Sequence, residues 1–199
     1  MTLPLPEKVR RVPAKIRSGR VDLIAPDLGF ADELVALLAD PSIHRWTGTI
    51  PSPYQRTDAA DYVRRARANR RAGQGVSFLI LRCVDGRLLG GIGLHDIHPR
   101  REAAEVGYWI GRPFRGQGFA GEALDGVLGL AFGRLGLHRV YAGVFPGNRP
   151  SVRLLRRAGF RYEGRIRDEF RKDGVWQDAL WFARLSTDRP PRTARGSCP

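Results

Sequence analysis

Arg115-Gly116-Gln117-Gly118-Phe119-Ala120 lies between a strand-like run, Glu105 to Gly111, and a strongly helical one, Gly118 to Leu135. Two glycines remove side chains where backbone N–H groups must approach an anion. The helix behind them points its positive dipole end and unpaired amides at the same spot. The segment therefore reads as a phosphate cradle.

Two frames compete for the identity of that phosphate. Gly116-Gln117-Gly118-Phe119-Ala120-Gly121 spells the G-x-G-x-x-G of a dinucleotide-binding βαβ unit, which needs a strand directly before the first glycine and an acidic residue at the end of the next strand. Arg112-Pro113-Phe114 breaks the strand early, and Tyr141 to Phe145 contains no acid, so a nicotinamide cofactor is disfavoured. The same residues also read as R-x-x-G-x-A. In that frame they resemble the coenzyme A pyrophosphate loop of the GNAT N-acetyltransferases. Glu105-Val106-Gly107-Tyr108-Trp109-Ile110 is similar to that family's fourth strand, and Asn148-Arg149-Pro150-Ser151 followed by Ala158-Gly159-Phe160 to its N-x-x-S…GF segment. With Gly174-Val175-Trp176-Gln177-Asp178 in a closing hairpin, the order of motifs resembles the RimJ/RimL-like branch over roughly Gly19 to Leu185.

Composition bounds the rest. A chain of 199 residues can bury one core. It has no apolar run of membrane-spanning length, and its first residues lack a charged segment followed by an apolar one. Cys83 and Cys198 make neither a disulfide framework nor a metal set, so the expected compartment is a reducing cytoplasm. The net charge of +14 is carried almost wholly by arginine, lysine occurring only at Lys8, Lys15 and Lys172. Arg64-Arg65-Ala66-Arg67-Ala68-Asn69-Arg70-Arg71 is the densest patch, read as the solvated face of a helix. No nucleic-acid module accompanies it, which leaves nonspecific attraction to a polyanion such as a ribosome.

Periodicity places a strand at Arg20 to Ala25, a helix on Ala31, Leu34, Val35 and Leu38 ended by Pro41, a loop from Arg45 to Pro53, and a helix from Thr57 to Ala72. Val76 to Val84 and Leu88 to Ile97 form a hairpin across Asp85-Gly86, joined by a third strand from Ala103 to Gly111. Ala120, Ala123, Leu124, Val127, Leu128 and Ala131 give the helix behind the cradle one apolar face. A strand at Arg139 to Phe145, a short helix at Pro150 to Ala158 and strands at Arg161 to Arg171 and Val175 to Leu185 follow. Residues 1–17 read as a loose arm, 18–185 as the domain and 186–199 as a disordered tail.

The resemblance implies a mixed α/β fold. Its central sheet is mostly antiparallel and twisted, with about seven strands splayed between the fourth and fifth and about four helices around it. It also implies acetyl-CoA as acyl donor, with no metal and no membrane, and an amine acceptor. On matched positions the pantetheine arm falls to the backbone of Trp109 and Ile110, and the pyrophosphate to Arg115, Gly116, Gln117, Gly118, Phe119 and Ala120. Asn148 either holds the cofactor or caps its helix, and Trp46 and Tyr54 border the acceptor.

Transfer needs a base, an oxyanion donor and an acid. Glu105 is the expected base, with Glu169 its rival, and backbone N–H near Ile110 the oxyanion donor. The tyrosine that many members carry four residues before G-F is here Leu155, which leaves Ser151 as the candidate acid. His95 and His98 have suitable intrinsic pKa values. A protein N-terminal α-amine is the leading acceptor, a small-molecule amine or antibiotic the alternative, and a non-catalytic acyl-CoA-binding module engaging RNA or protein a third reading. The closing hairpin and N-terminal arm offer surfaces for a homodimer.

Overall fold

A computed structural model describes residues 3–188. Its eight strands are β1 (Lys15–Ser18), β2 (Val21–Ile24), β3 (Val76–Arg82), β4 (Leu88–His98), β5 (Ala103–Ile110), β6 (Arg139–Val144), β7 (Arg161–Lys172) and β8 (Val175–Leu185). They form one sheet in the order β1-β2-β3-β4-β5-β6-β8-β7. All neighbours are antiparallel except β5 and β6. The helices are α1 (Leu5–Arg10), α2 (Ala31–Leu38), α3 (Pro41–His44), α4 (Arg56–Ala72), α5 (Phe119–Leu128) and α6 (Arg149–Arg157). Wider π-type turns extend α5 through Gly129–Leu135.

Both faces of the sheet's centre are covered, which is why β3 reads as an almost unbroken apolar run. Val76, Phe78 and Ile80 point to one side, where Ala123, Leu124 and Val127 of α5 meet Leu23, Ile92, Ala104 and Val106. Leu79 and Leu81 point to the other, against Leu34 and Leu38 of α2 and Ala59 of α4. The arginine patch on α4 is mostly exposed, but Arg70 turns inward to the Val12 carbonyl and Arg71 offers its own carbonyl to Arg10 Nε at 2.8 Å. Part of the patch thus docks the N-terminal segment.

The splay lies where the motifs put it, on strands that are β5 and β6 because β1 precedes them. Their register runs only through Ala103–Arg139, Ala104–Val140 and Glu105–Tyr141. Beyond Glu105, β5 continues to Ile110 along β4, and β6 continues to Val144 along β8, so the two strands form a fork.

Three expectations are corrected. Residues 3–17 are not a loose arm: α1 buries Val9, the segment after it buries Val12, and β1 pairs along all four residues with β2, making the eighth strand. The Pro-rich start misled because Pro6 occupies the first turn of α1, where the missing N–H costs nothing. Pro41 ends one helix as read but also starts another, α3, behind the capping carboxylate of Asp40. At the other end Ser186 N–H donates to the His138 carbonyl at 2.8 Å; the rest of the expected tail, residues 189–199, lies outside the described residues, as do Met1 and Thr2.

Because Val9 is 0% and Val12 2% exposed, Val9→Ala should destabilise the protein by about 2 kcal/mol, with Val12→Ala close behind. Urea unfolding measures this; a loose arm would leave the midpoint unchanged.

Candidate active site

The cradle starts where β5 ends. Gly111 leads through a short turn, Arg112–Phe114, to a loop whose Gly116 and Gly118 adopt left-handed conformations, φ 76° and 88°, that favour glycine. Gly118 then caps α5. The backbone N–H groups of Gly116, Gln117, Gly118, Phe119 and Ala120 make no hydrogen bond among the described residues; the first amides of the helix to do so are those of Gly121 and Glu122, both onto the Gly118 carbonyl. Five successive free donors at a helix N-terminus are suited to an anion.

The loop is held from behind by Arg20, in the turn between β1 and β2. Its guanidinium donates to Glu122 Oε1 (Nε, 2.7 Å) and to the Gln117 carbonyl (Nη2, 2.9 Å), and lies 4.8 Å over the Phe119 ring. Its backbone N–H donates to Glu122 Oε2 at 2.6 Å. Arg115 departs from expectation. Its Nε donates to the Ile110 carbonyl at 2.9 Å and its Nη1 to Ser42 Oγ at 2.8 Å, while its own N–H is turned to the Arg112 carbonyl. Arg115 ties β5 to α3 through Nε and Nη1, and its amide is engaged as well.

Glu105 stands at the crotch of the fork, the last residue of β5 paired with β6. Burial, then Asp96, pushes its carboxyl above the ordinary glutamate range, with Glu169 adding to the shift and the N–H of Gly143 partly offsetting it. His95 is its direct partner across β4; burial pushes that imidazole down, with Asp96 opposing. The register that places His95 opposite Glu105 gives this histidine a neighbour the sequence could not name. Glu169 reaches the region through an irregularity in β7 between Ile166 and Phe170, where Asp168 has φ 52° and its N–H donates to Asp178 Oδ1 at 3.0 Å.

On this face glycines make a bare floor. A Cβ on Gly93 would lie 3.0 Å from His95 Nε2, one on Gly91 2.7 Å from Trp109 Nε1, and one on Gly143 3.0 Å from the Phe170 ring. Alongside opens a cavity of about 580 Å³ lined by Asp96, His98, Arg101, Tyr141, Ile166 and Trp181, among others. The buried Trp181 indole N–H has no hydrogen-bond partner among the described residues.

The β7–β8 hairpin tip meets the α3 segment. Lys172 Nζ donates to the carbonyls of His44 and Thr47 at 2.5 and 2.7 Å, and His44 Nε2 lies 3.0 Å from Asp173 Oδ2. Trp46 reaches toward the β6–α6 loop, 3.5 Å from where a Gly147 Cβ would stand. Tyr54 is corrected: at 8% exposure it packs with Ala59 and Leu79 in the second core, so its ring is committed to packing.

Beyond the fork, α6 begins with Asn148 as its cap, the side chain accepting from Ser151 N–H at 3.3 Å. Of the two roles read for Asn148, the cap is the one observed. Ser151 Oγ lies 2.6 Å from the hydroxyl of Tyr108, and burial pushes that phenol up to about 12. Leu155, one turn on, is wholly buried. Sequence reasoning gave Tyr108 no role; its signal was only that it alternates with Glu105 and so faces the opposite side of β5.

The fold is matched by known proteins. Residues 20–161 match the Acetyltransferase (GNAT) domain family, and the chain belongs to that family of N-acetyltransferases. The uncharacterized N-acetyltransferase p20 of Bacillus licheniformis is 30% identical over 85% of this chain and 94% of its own length. The ribosomal protein uS5-alanine N-acetyltransferase of Escherichia coli is 35% identical over 45% of this chain and 46% of that one. The structure of Mycobacterium smegmatis RimJ in complex with CoA-disulfide superposes with a TM-score of 0.78 at 28% identity, covering 86% of this chain and 85% of that one. Curated relatives are matched over spans from under half to nearly all of their length.

A carboxyl raised above its unfolded value is destabilising when ionised and neutral in effect when protonated, by about 1.4 kcal/mol per pK unit. Glu105→Gln should therefore equal or exceed the wild type in stability at pH 8, and the advantage should vanish as pH falls below the unfolded glutamate range. Urea midpoints across pH measure it; a lower stability of the variant at pH 8 contradicts the assigned direction.

Proposed function

We propose that this protein transfers an acetyl group from acetyl-CoA to the α-amine of a protein N-terminus, acting in the cytoplasm. The observation that carries the donor half is the alignment of an open fork with five unpaired amides at the head of α5. In this reading Gly116 to Ala120 take the pyrophosphate through main-chain N–H, and the pantetheine arm runs along the backbone of Trp109 and Ile110. The Ile110 carbonyl, already engaged by Arg115, is shared. Arg20 keeps the Gln117 carbonyl turned back, leaving the amides to the anion.

Glu105 withdraws the amine's proton through a water. Its raised pKa brings it closer to the operating pH, which favours general-base work. Glu169 acts on it as a neighbouring charge rather than replacing it. Backbone N–H near Ile110 stabilises the oxyanion, and Ser151 protonates the leaving thiolate. The glycine floor and the adjoining cavity receive the acceptor, with the Trp181 N–H as an available donor for a peptide carbonyl.

The α-amine reading is supported by relatives named for ribosomal-protein acetylation and by the protein's net charge of +14, which favours an RNA-rich particle. One observation favours a small-molecule amine instead. Asp96 and Glu169 both act on Glu105 through their charges, so three carboxylates gather at the closed end of the fork, where they can hold an ammonium despite the basic exterior.

Thiol release from acetyl-CoA over a panel of N-terminal peptides, polyamines and aminoglycosides separates the two. The expected result is turnover on peptides, reduced about 10²–10⁴-fold in Glu105→Gln. The acid limb of kcat/KM should lie above the ordinary glutamate range, because the base works only when deprotonated and its pKa is raised; the variant should lack that limb. Turnover confined to polyamines would select the small-molecule reading, and CoA binding without turnover on any amine would refute the enzyme.

A further inference from the structure

The thiolate that leaves coenzyme A needs a proton, and Ser151 alone is a poor source. An aliphatic alkoxide is far more basic than a thiolate, whose parent thiol has a pKa of about 8.5. A serine that gives up its proton must recover one in the same event. The structure holds a candidate for that recovery within hydrogen-bond reach, from an element distant in sequence.

We propose that Tyr108 is the proton source behind Ser151: held 2.6 Å from Ser151 Oγ in the fork, its phenol reprotonates the serine as the serine protonates the departing thiolate. The inference rests on the acetyl-transfer reading above. Tyr108 acts through Ser151 and is a positioning and proton-supplying residue.

Five observations converge on the pair. Tyr108 lies three residues past the last β5–β6 pairing, where the partner strand has parted and the slot is open. Ser151 sits in the first turn of α6, its backbone fixed by the Asn148 cap. The helix position one turn later, where a hydroxyl could have reached the same place, is Leu155 and is committed to the core. Strand alternation puts Glu105 and Tyr108 on opposite faces of β5, so base and proton source serve the acceptor side and the slot separately. Burial raises the phenol to about 12, which still leaves it more acidic than an aliphatic alcohol.

The step balances. An S–H bond forms to the thiolate as the Ser151 O–H bond breaks; a new Ser151 O–H bond forms as the Tyr108 O–H bond breaks. The proton removed from the amine through Glu105 returns to the phenolate by way of solvent. Nothing is oxidised or reduced.

The test is Tyr108→Phe, with Ser151→Ala and the double variant, using the full chain. Each single variant should lose about 10²-fold in kcat with acetyl-CoA, with its KM and the affinity for CoA changed by less than about threefold, and the double variant should be little worse than either. With 4-nitrophenyl acetate as donor, whose leaving group departs without a proton, the Tyr108→Phe rate should match the wild type. Rates in mixtures of H2O and D2O should show two protons in flight for the wild type and fewer for Tyr108→Phe. An equal loss on both donors, or no loss of kcat in Tyr108→Phe while the wild type turns over, overturns the proposal alone. Absence of acetyl transfer by the wild type overturns the functional reading and this proposal with it.

Discussion

The structure depends on one interruption: β5 and β6 pair for three residues and then separate. A parallel pair left open costs backbone hydrogen bonds, and unpaired N–H and C=O groups in a protein interior require other partners. Here the opening is bounded rather than frayed. β4 holds β5 from one side, β8 holds β6 from the other, and the Tyr108–Ser151 hydrogen bond ties β5 to the helix that follows β6. A fork fixed on both arms is a slot of set width, with Glu105 at its closed end and the amides of the α5 cradle beyond the end of β5.

What could be read from sequence is what is local. The glycines of the cradle, the apolar stripe of α5, the β5 motif and the Asn148 cap each declare themselves within a few residues, because φ, helical period and capping are short-range constraints. The parts that escaped join distant segments. The Arg20 brace spans 102 residues to Glu122, and Tyr108 meets Ser151 43 residues away. His95 faces Glu105 only through strand register, which a bulge at Asp96 then ends. Arg115 fitted the motif by position, but its side chain is spent on Ile110 and Ser42, a competition the motif does not contain. In the N-terminal segment proline and arginine content reads as looseness, while two buried valines and a strand pairing decide the structure.

Charge is arranged on two scales. The surface is strongly basic, and several arginines serve structure: Arg20 behind the cradle, Arg115 between β5 and α3, Arg70 against the N-terminal segment. At the fork the balance is the reverse, with part-buried Glu105 acted on by the charges of exposed Asp96 and part-buried Glu169. A basic exterior around these carboxylates allows encounter with a polyanion and capture of an ammonium without conflict, since exposed charges are screened over about 8–10 Å in physiological salt while partly buried ones are screened much less.

The central claim is that the slot and the five free amides together take the coenzyme A end of the donor. Amide hydrogen exchange of the full chain with and without CoA tests it most directly. The account predicts slowed exchange concentrated at Gly116 to Ala120 and along β5 beyond Glu105. CoA binding that leaves those amides unchanged and protects a different region would contradict it.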